Sequence, residues 1–174
     1  MAPCFLMALP DTIILLAAHE EGNAMGFVLN RRTQLSFHEL IQDLSIEASI
    51  PDRRVLWGGP ISKNSGFIIY EHEPSKPLDE GLTISESISI SPSKWLLERS
   101  AAGEMPGNFD LLLGYIGFKP GQLEEELSKG RYVHMPFFPE IALNVPISER
   151  FQKAFESLGH TSMSFMNVQG GAQA

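Results

Sequence analysis

Phe109-Asp110-Leu111-Leu112-Leu113-Gly114-Tyr115-Ile116-Gly117-Phe118-Lys119-Pro120-Gly121-Gln122-Leu123-Glu124-Glu125-Glu126-Leu127 joins the most apolar segment of the chain to an acidic one through a short turn. Phe109 to Ile116, the most hydrophobic of the candidate strands, reads as central. Pro120 is expected to open a helix that Gly130 closes. Leu123 and Leu127, four apart, form its inward face, with Gln122 and Glu126 on one flank, Glu124 on the other and Glu125 outward. A strand that runs into a helix through glycine-rich backbone displays side chains at its end, where binding groups commonly sit.

Phe5–Leu9 and Thr12–His19 are apolar runs too short for helices and read as strands. Met25–Leu29 returns as a third, giving a hairpin around Gly22-Asn23. Ser36 with Glu39 makes a capping box for a short amphipathic helix ending near Leu44. Val55–Trp57 and Gly66–Tyr70 read as strands flanking the turn Gly58-Gly59-Pro60, and Leu82–Ile90 as one more after the loop 73–81. Ser91 before Pro92 is expected to cap a helix that stops at Gly103. Tyr132–Met135 adds a strand, 136–146 reads as loop, Ser148 caps a last helix stopped by Gly159, and Met163–Met166 is a final edge strand. Helices interrupt the strands irregularly, which favours an α+β arrangement over strict βαβ alternation.

The 174 residues fit a single domain, 1–174, with a full hydrophobic core. One cysteine excludes an intrachain disulfide, and no Cys/His cluster has zinc spacing, so a reducing compartment, the cytoplasm, is expected. The first basic residue is Arg31, so no secretory signal is expected, and no apolar run approaches membrane-spanning length. Thirteen basic against twenty-one acidic residues give a formal charge of −8, which repels phosphate backbones and anionic lipid. The adjacent basic pairs Arg31-Arg32 and Arg53-Arg54 are too few for a nucleic-acid footprint.

The candidate sites each have a plain structural alternative. Cys4 lies between apolar neighbours with no cation to stabilise a thiolate, so an inert buried thiol is favoured. His19-Glu20-Glu21, with His72-Glu73 or His134, would make a base or a hard-metal site only if the fold gathered them, and an exposed strand end is the simpler reading. The carboxylates at 124–126 sit where a helix dipole favours them in any case. Ser36, His38 and Glu39 lack a nucleophile elbow, and Ser36 is explained as a cap. Asn30 and Arg31 end a strand, where a guanidinium fork can take a carboxylate or phosphate. Gly58-Gly59 would suit either an anion-binding nest or a tight turn, and no P-loop or dinucleotide fingerprint occurs.

Taken together, Phe5-Leu6-Met7-Ala8, the His19–Gly26 stretch, Val28-Leu29-Asn30-Arg31, Trp57-Gly58-Gly59-Pro60, Leu113-Gly114-Tyr115-Ile116-Gly117 and Pro146 through Arg150 to Gly159 resemble the YqgE/AlgH family of bacterial proteins. The resemblance implies a bifurcated, largely antiparallel sheet curled into a pseudo-barrel with helices packed outside. The family's biochemical activity is poorly defined, although some members are described as transcriptional regulators. Phe118 stands where the family normally carries Trp, and between Pro10 and Ile13 the family has about ten further residues. The expectation is a cytoplasmic regulatory or interaction protein with a protein partner of unknown identity and no direct DNA contact, membrane, metal or cofactor. Its candidate binding residues are Asn30, Arg31, Gly58, Gly59, Tyr115 and Gln122, converging on one surface. The alternative is an enzyme with a pocket built from Asn30, Gly58-Gly59 and the Tyr115–Gln122 motifs. Catalytic residues and oligomeric state are left open.

Overall fold

The apolar runs become strands of one continuous sheet in the computed structural model, which describes residues 3–8, 11–20 and 23–158. In chain order the first half contains β1 (Cys4–Ala8), β2 (Thr12–Glu20), β3 (Asn23–Val28), β4 (Arg32–Ser36), α1 (Phe37–Asp43), β5 (Arg54–Trp57) and β6 (Ile61–Glu71). The second half contains β7 (Leu82–Thr83), β8 (Ile88–Ser91), α2 (Lys94–Ala101), β9 (Phe109–Phe118), α3 (Gln122–Ser128), β10 (Val133–Pro136), α4 (Pro139–Leu143) and α5 (Arg150–Glu156). The strand order is β10-β1-β2-β3-β9-β6-β8-β7, with β4 paired to β5 and β5 to β9.

All pairings are antiparallel except β5 with β9. β9 is central, as its strongly apolar sequence predicts. One edge pairs with β6 from Phe109 to Leu113 and again at Tyr115. The other edge changes partner: β5 takes Leu112 and Leu113, then β3 takes Ile116 to Phe118. The sheet therefore forks at Gly114, whose φ of +76° only glycine adopts without strain. The sheet curls into a half-barrel with the helices at its side, in agreement with the architecture that the family resemblance implies.

Three apolar clusters fill the fold. The largest joins the inner face of β1, β2 and β3 to α4 and α5 through Phe5, Leu15, Phe27 and Ile141. A second packs α1 and α2 on β5, β6 and β9 through Phe37, Val55, Tyr70 and Leu96. The third sets Leu123 of α3 against Leu6, Leu16 and Phe118. Each fully buried Leu or Phe contributes about 1.5–3 kcal/mol relative to exposure, so these clusters, not the short helices, hold the elements in place.

Local signals predicted α1 correctly, down to its cap: Ser36 Oγ accepts from Glu39 N–H and the Glu39 carboxylate accepts from Ser36 N–H. Five expectations need correction. Residues 82–90 form a hairpin and not one strand, because the amides of Ile84 and Ser85 both turn back to Ile88 O. Ser91 stays in β8, paired with Ile68, and its hydroxyl donates to Asp79, so Ser93 caps α2 instead. Gly121, at φ +77°, is the N-cap of α3, one residue beyond Pro120. The supposed loop 136–146 contains α4, opened by Pro139, with Ile141, Ala142 and Leu143 buried. Ser148 lies in a single 3-10 turn, Ile147–Glu149, and α5 starts at Arg150 with no side-chain cap. β4, absent from the sequence reading, is a short, partly exposed edge strand. Glu20 pairs with Asn23, so the predicted hairpin exists, while residues 21–22, Gly159 and Met163–Met166 lie outside the described residues.

Candidate functional site

Antiparallel pairing sets the start of β3 beside the end of β9, with Ala24 opposite Phe118 and Gly26 opposite Ile116. α3 departs from the same place, and the Gln122 side chain closes the turn by accepting from Lys119 N–H at 2.8 Å. An open groove of about 760 Å³ lies between these elements and the start of β6. Its apolar lining includes Met25, Ile61, Tyr115 and Phe118, and its polar lining Asn23, Lys119 and Gln122. The Tyr115 ring packs edge-to-face on Phe67, which packs in turn on Phe27, so the groove rests on the main core.

Gly58 and Gly59 serve the fork. Gly58 N–H donates to Leu113 O, and Gly58 O accepts from Val28 N–H, bridging the gap where β5 hands over to β3. A Cβ on Gly58 would meet Gly114 O at 2.3 Å, and one on Gly59 would meet the Tyr115 carbonyl carbon at 2.1 Å. Close backbone approach is thus a sufficient reason for both glycines.

Asn30 and Arg31 have different neighbours from Tyr115 and Gln122. Asn30 Oδ1 accepts from Ile13 N–H at 3.1 Å and its Nδ2 donates to Asp11 O at 2.6 Å. Arg31 Nη2 donates to Asp11 Oδ1 and Thr12 Oγ1 at 2.6 and 2.7 Å. The hydrogen bond from Arg31 holds the Asp11 carboxyl below its ordinary pKa. Both side chains therefore clamp the short connection between β1 and β2, and neither lines the groove.

The start of β9 carries a charged cluster that sequence reasoning missed. Asp110 is buried, with Arg53 Nη2 2.5 Å from Oδ1 and Arg150 Nη2 2.8 Å from Oδ2. The second contact is an ion pair whose N–H is not aligned for a hydrogen bond. Arg150, itself buried, also donates to Leu29 O and Val145 O, tying α5 to the strands. The signal was present: an acid inside the most apolar strand needs a buried partner.

The remaining candidates resolve into structural roles. Cys4 is buried, and burial pushes its thiol up to about 11. His19 lies 3.0 Å from Glu124, joining β2 to α3. His72 is buried, its Nδ1–H donating to Glu73 O and its Nε2 accepting from the fully buried Ser89 hydroxyl in the neutral ring. His38 contacts Ile50 O, and Glu125 and Glu126 pair with Lys129 and Arg131. Among the described residues no three His, Cys, Asp or Glu side chains gather as metal ligands, and no helix is long and apolar enough to cross a membrane.

Several known proteins are similar to this chain in sequence, structure or both. UPF0301 proteins of Burkholderia pseudomallei and Burkholderia thailandensis are 31% identical over 179 aligned residues, covering 97% of this chain and 93% of each relative. The solution structure of the AlgH protein from Pseudomonas aeruginosa superposes with a TM-score of 0.76 at 32% identity, covering 94% of this chain and 92% of that one. A crystal structure of a Corynebacterium diphtheriae protein shares the fold at 18% identity, with a TM-score of 0.71 over 90% of this chain and 87% of its own. The family model described as AlgH-like matches residues 8–163, and with these relatives it establishes that the chain belongs to the AlgH-like family.

Proposed function

We propose that this AlgH-like protein is a regulatory protein that docks a partner protein at the groove beside Tyr115 and Gln122, acting neither by catalysis nor by gripping DNA directly. The observation that carries the reading is the make-up of the groove: an apolar lining with Asn23, Lys119 and Gln122, and, among the described residues that line it, no carboxylate, imidazole, thiol or hydroxyl pair that would move a proton or attack a bond. The Ser89–His72 contact would be a nucleophile and base by type, but both residues are buried and neither lines the groove. A charge of −8 disfavours a DNA grip. The chemistry fits a partner chain that offers an apolar side chain to Met25, Ile61 and Tyr115 and an acidic group to the exposed Lys119.

Photo-crosslinking residues placed singly at Lys119 and Gln122 in living cells test this. Both should capture one and the same protein, a crosslinker at exposed Glu98 on α2 should not, and Ile61→Asp should abolish capture. Unrelated captures from the two groove positions, or capture indifferent to Ile61→Asp, would reject the proposal.

A further inference from the structure

The basic pairs Arg31-Arg32 and Arg53-Arg54 are far apart in sequence, but β4–β5 pairing brings them together by setting Arg32 opposite Leu56 and Ser36 opposite Arg54. Arg32 and Arg53 both line two adjoining concavities, about 520 and 330 Å³, which also share Phe109 and Ile147. The place lies at the start of β9, at the other end of the strand from the groove.

The ion pairing of the arginines sets this surface apart. Arg31, Arg53, Arg99, Arg131 and Arg150 each have a carboxylate within reach. Arg32 and Arg54 have none among the described residues, although acids outnumber bases in the chain. Arg54 donates only to Gln34 O, and the Arg32 guanidinium makes no hydrogen bond or ion pair among the described residues. Arg53 is half-buried and held in place by Asp110 and by the Phe109 ring, 4.7 Å below its guanidinium carbon, and its other guanidinium N–H groups have no partner among the described residues. The two local carboxylates are already engaged: Asp110 by Arg53 and Arg150, and Asp52 by the amides of His38 and Arg53. The lining of the two concavities thus carries four guanidinium groups, Arg32, Arg53, Arg54 and Arg150, against two carboxylates.

Cations that a fold gathers without counter-charge repel one another unless an anion joins them, and a concave wall focuses their field. Guanidinium forks match planar or tetrahedral oxyanions through paired N–H donors. Ile50, Phe109 and Ile147 supply an apolar wall beside the charges. We propose that this concavity binds a small organic dianion, a phosphate monoester or a dicarboxylate, with its head on Arg32 and Arg53, Arg54 at the margin, and its body against Ile50, Phe109 and Ile147.

The test titrates the isotopically labelled chain with sodium phosphate and, separately, with sodium succinate, holding ionic strength constant with sodium chloride, and follows arginine Nε–H and backbone amide resonances. At least one anion should give saturable shifts at Arg32, Arg53, Arg54 and Ile147, and the stronger arm identifies the head group. Arg32→Ala, which removes an exposed side chain and no internal bond, should weaken that binding by about tenfold or more, while Arg99→Ala leaves it unchanged. Shifts that never saturate with either anion, or equal affinities for the parent chain and Arg32→Ala, would overturn the assignment. Arg53→Ala is avoided, because losing the Asp110 pair confounds binding with folding.

Discussion

The two ends of β9 do opposite things with their polar groups, although roughly 25–30 Å of one strand joins them. At Asp110 the charges point inward and are matched by Arg53 and Arg150, which lock α5 and the β5 approach onto the sheet. At Tyr115–Phe118 the strand meets an open groove where the polar side chains of Lys119 and Gln122 are exposed and make few bonds to the described residues. At the first end the strand's own polar side chain, Asp110, is committed to the fold, whereas at the other end Lys119 and Gln122 are left facing solvent. The difference teaches that site-like residue types are no guide until their internal partners are counted.

The comparison breaks most easily at Asp110. Asp110→Ala leaves Arg150 buried without its counter-charge and should lower stability by about 3–5 kcal/mol in chemical denaturation. A loss below about 1 kcal/mol would mean that Arg150 finds water or another acceptor, and the first end of the strand would then not be the locked one.

Gly59→Ala tests the fork between the ends. The new methyl would meet backbone atoms of Tyr115 and Ile116 at 2.1–2.6 Å, and backbone cannot swing aside as a side chain does. A loss of about 2–3 kcal/mol is expected, with altered amide exchange at Tyr115 and Ile116. A neutral substitution would show that β9 is free to shift at Gly114, and the two ends would not be rigidly connected.

Asn30→Ala ranks next. It strips the acceptor from Ile13 N–H and the donor from Asp11 O, and should cost about 1–2 kcal/mol. The same substitution should leave groove binding intact, since Asn30 holds the β1–β2 connection and lies outside the groove lining. Partner capture lost at unchanged stability would extend the groove to that connection.

Sequence carried local information well and distant information poorly. The apolar run 109–116, the capping box at Ser36 and the glycine stop at Gly130 are each written within a few residues, and each appears in the structure. The cap of α2 failed because Ser91 and Ser93 are both good caps locally, and Asp79, twelve residues upstream, takes the Ser91 hydroxyl. α4 spans five residues, too short for helical periodicity to register. The union of Asp110 with Arg150 depends on how α5 packs on the sheet, and that of Arg32 with Arg53 on strand pairing, neither of which a local pattern encodes. Gly58-Gly59 was ambiguous for the same reason, since a nest and a close approach need the same residue type. Tyr115 and Gln122 stand out in the sequence because the end of a strand before a helix is a recognisable place, and both line one groove; Met25 and Ile61, which line it too, carried no signal beyond being apolar.

Gln122→Ala should have the smallest effect on stability, and for that reason it is the most discriminating. Gln122 is exposed at the first turn of α3, and its side chain makes one bond, from Lys119 N–H, at a site where water can take over. Alanine is also the better helix former, which offsets part of the loss. The net change should stay below about 1 kcal/mol, while capture of the partner at the groove weakens. A change above roughly 2 kcal/mol would make the Lys119–Gln122 turn as structural as the Asp110 cluster, and the contrast between the two ends of β9 would vanish. Unchanged stability with unchanged capture would instead leave the fold argument standing and move the docking surface away from α3, toward Ile61 and Met25 on the other side of the same groove.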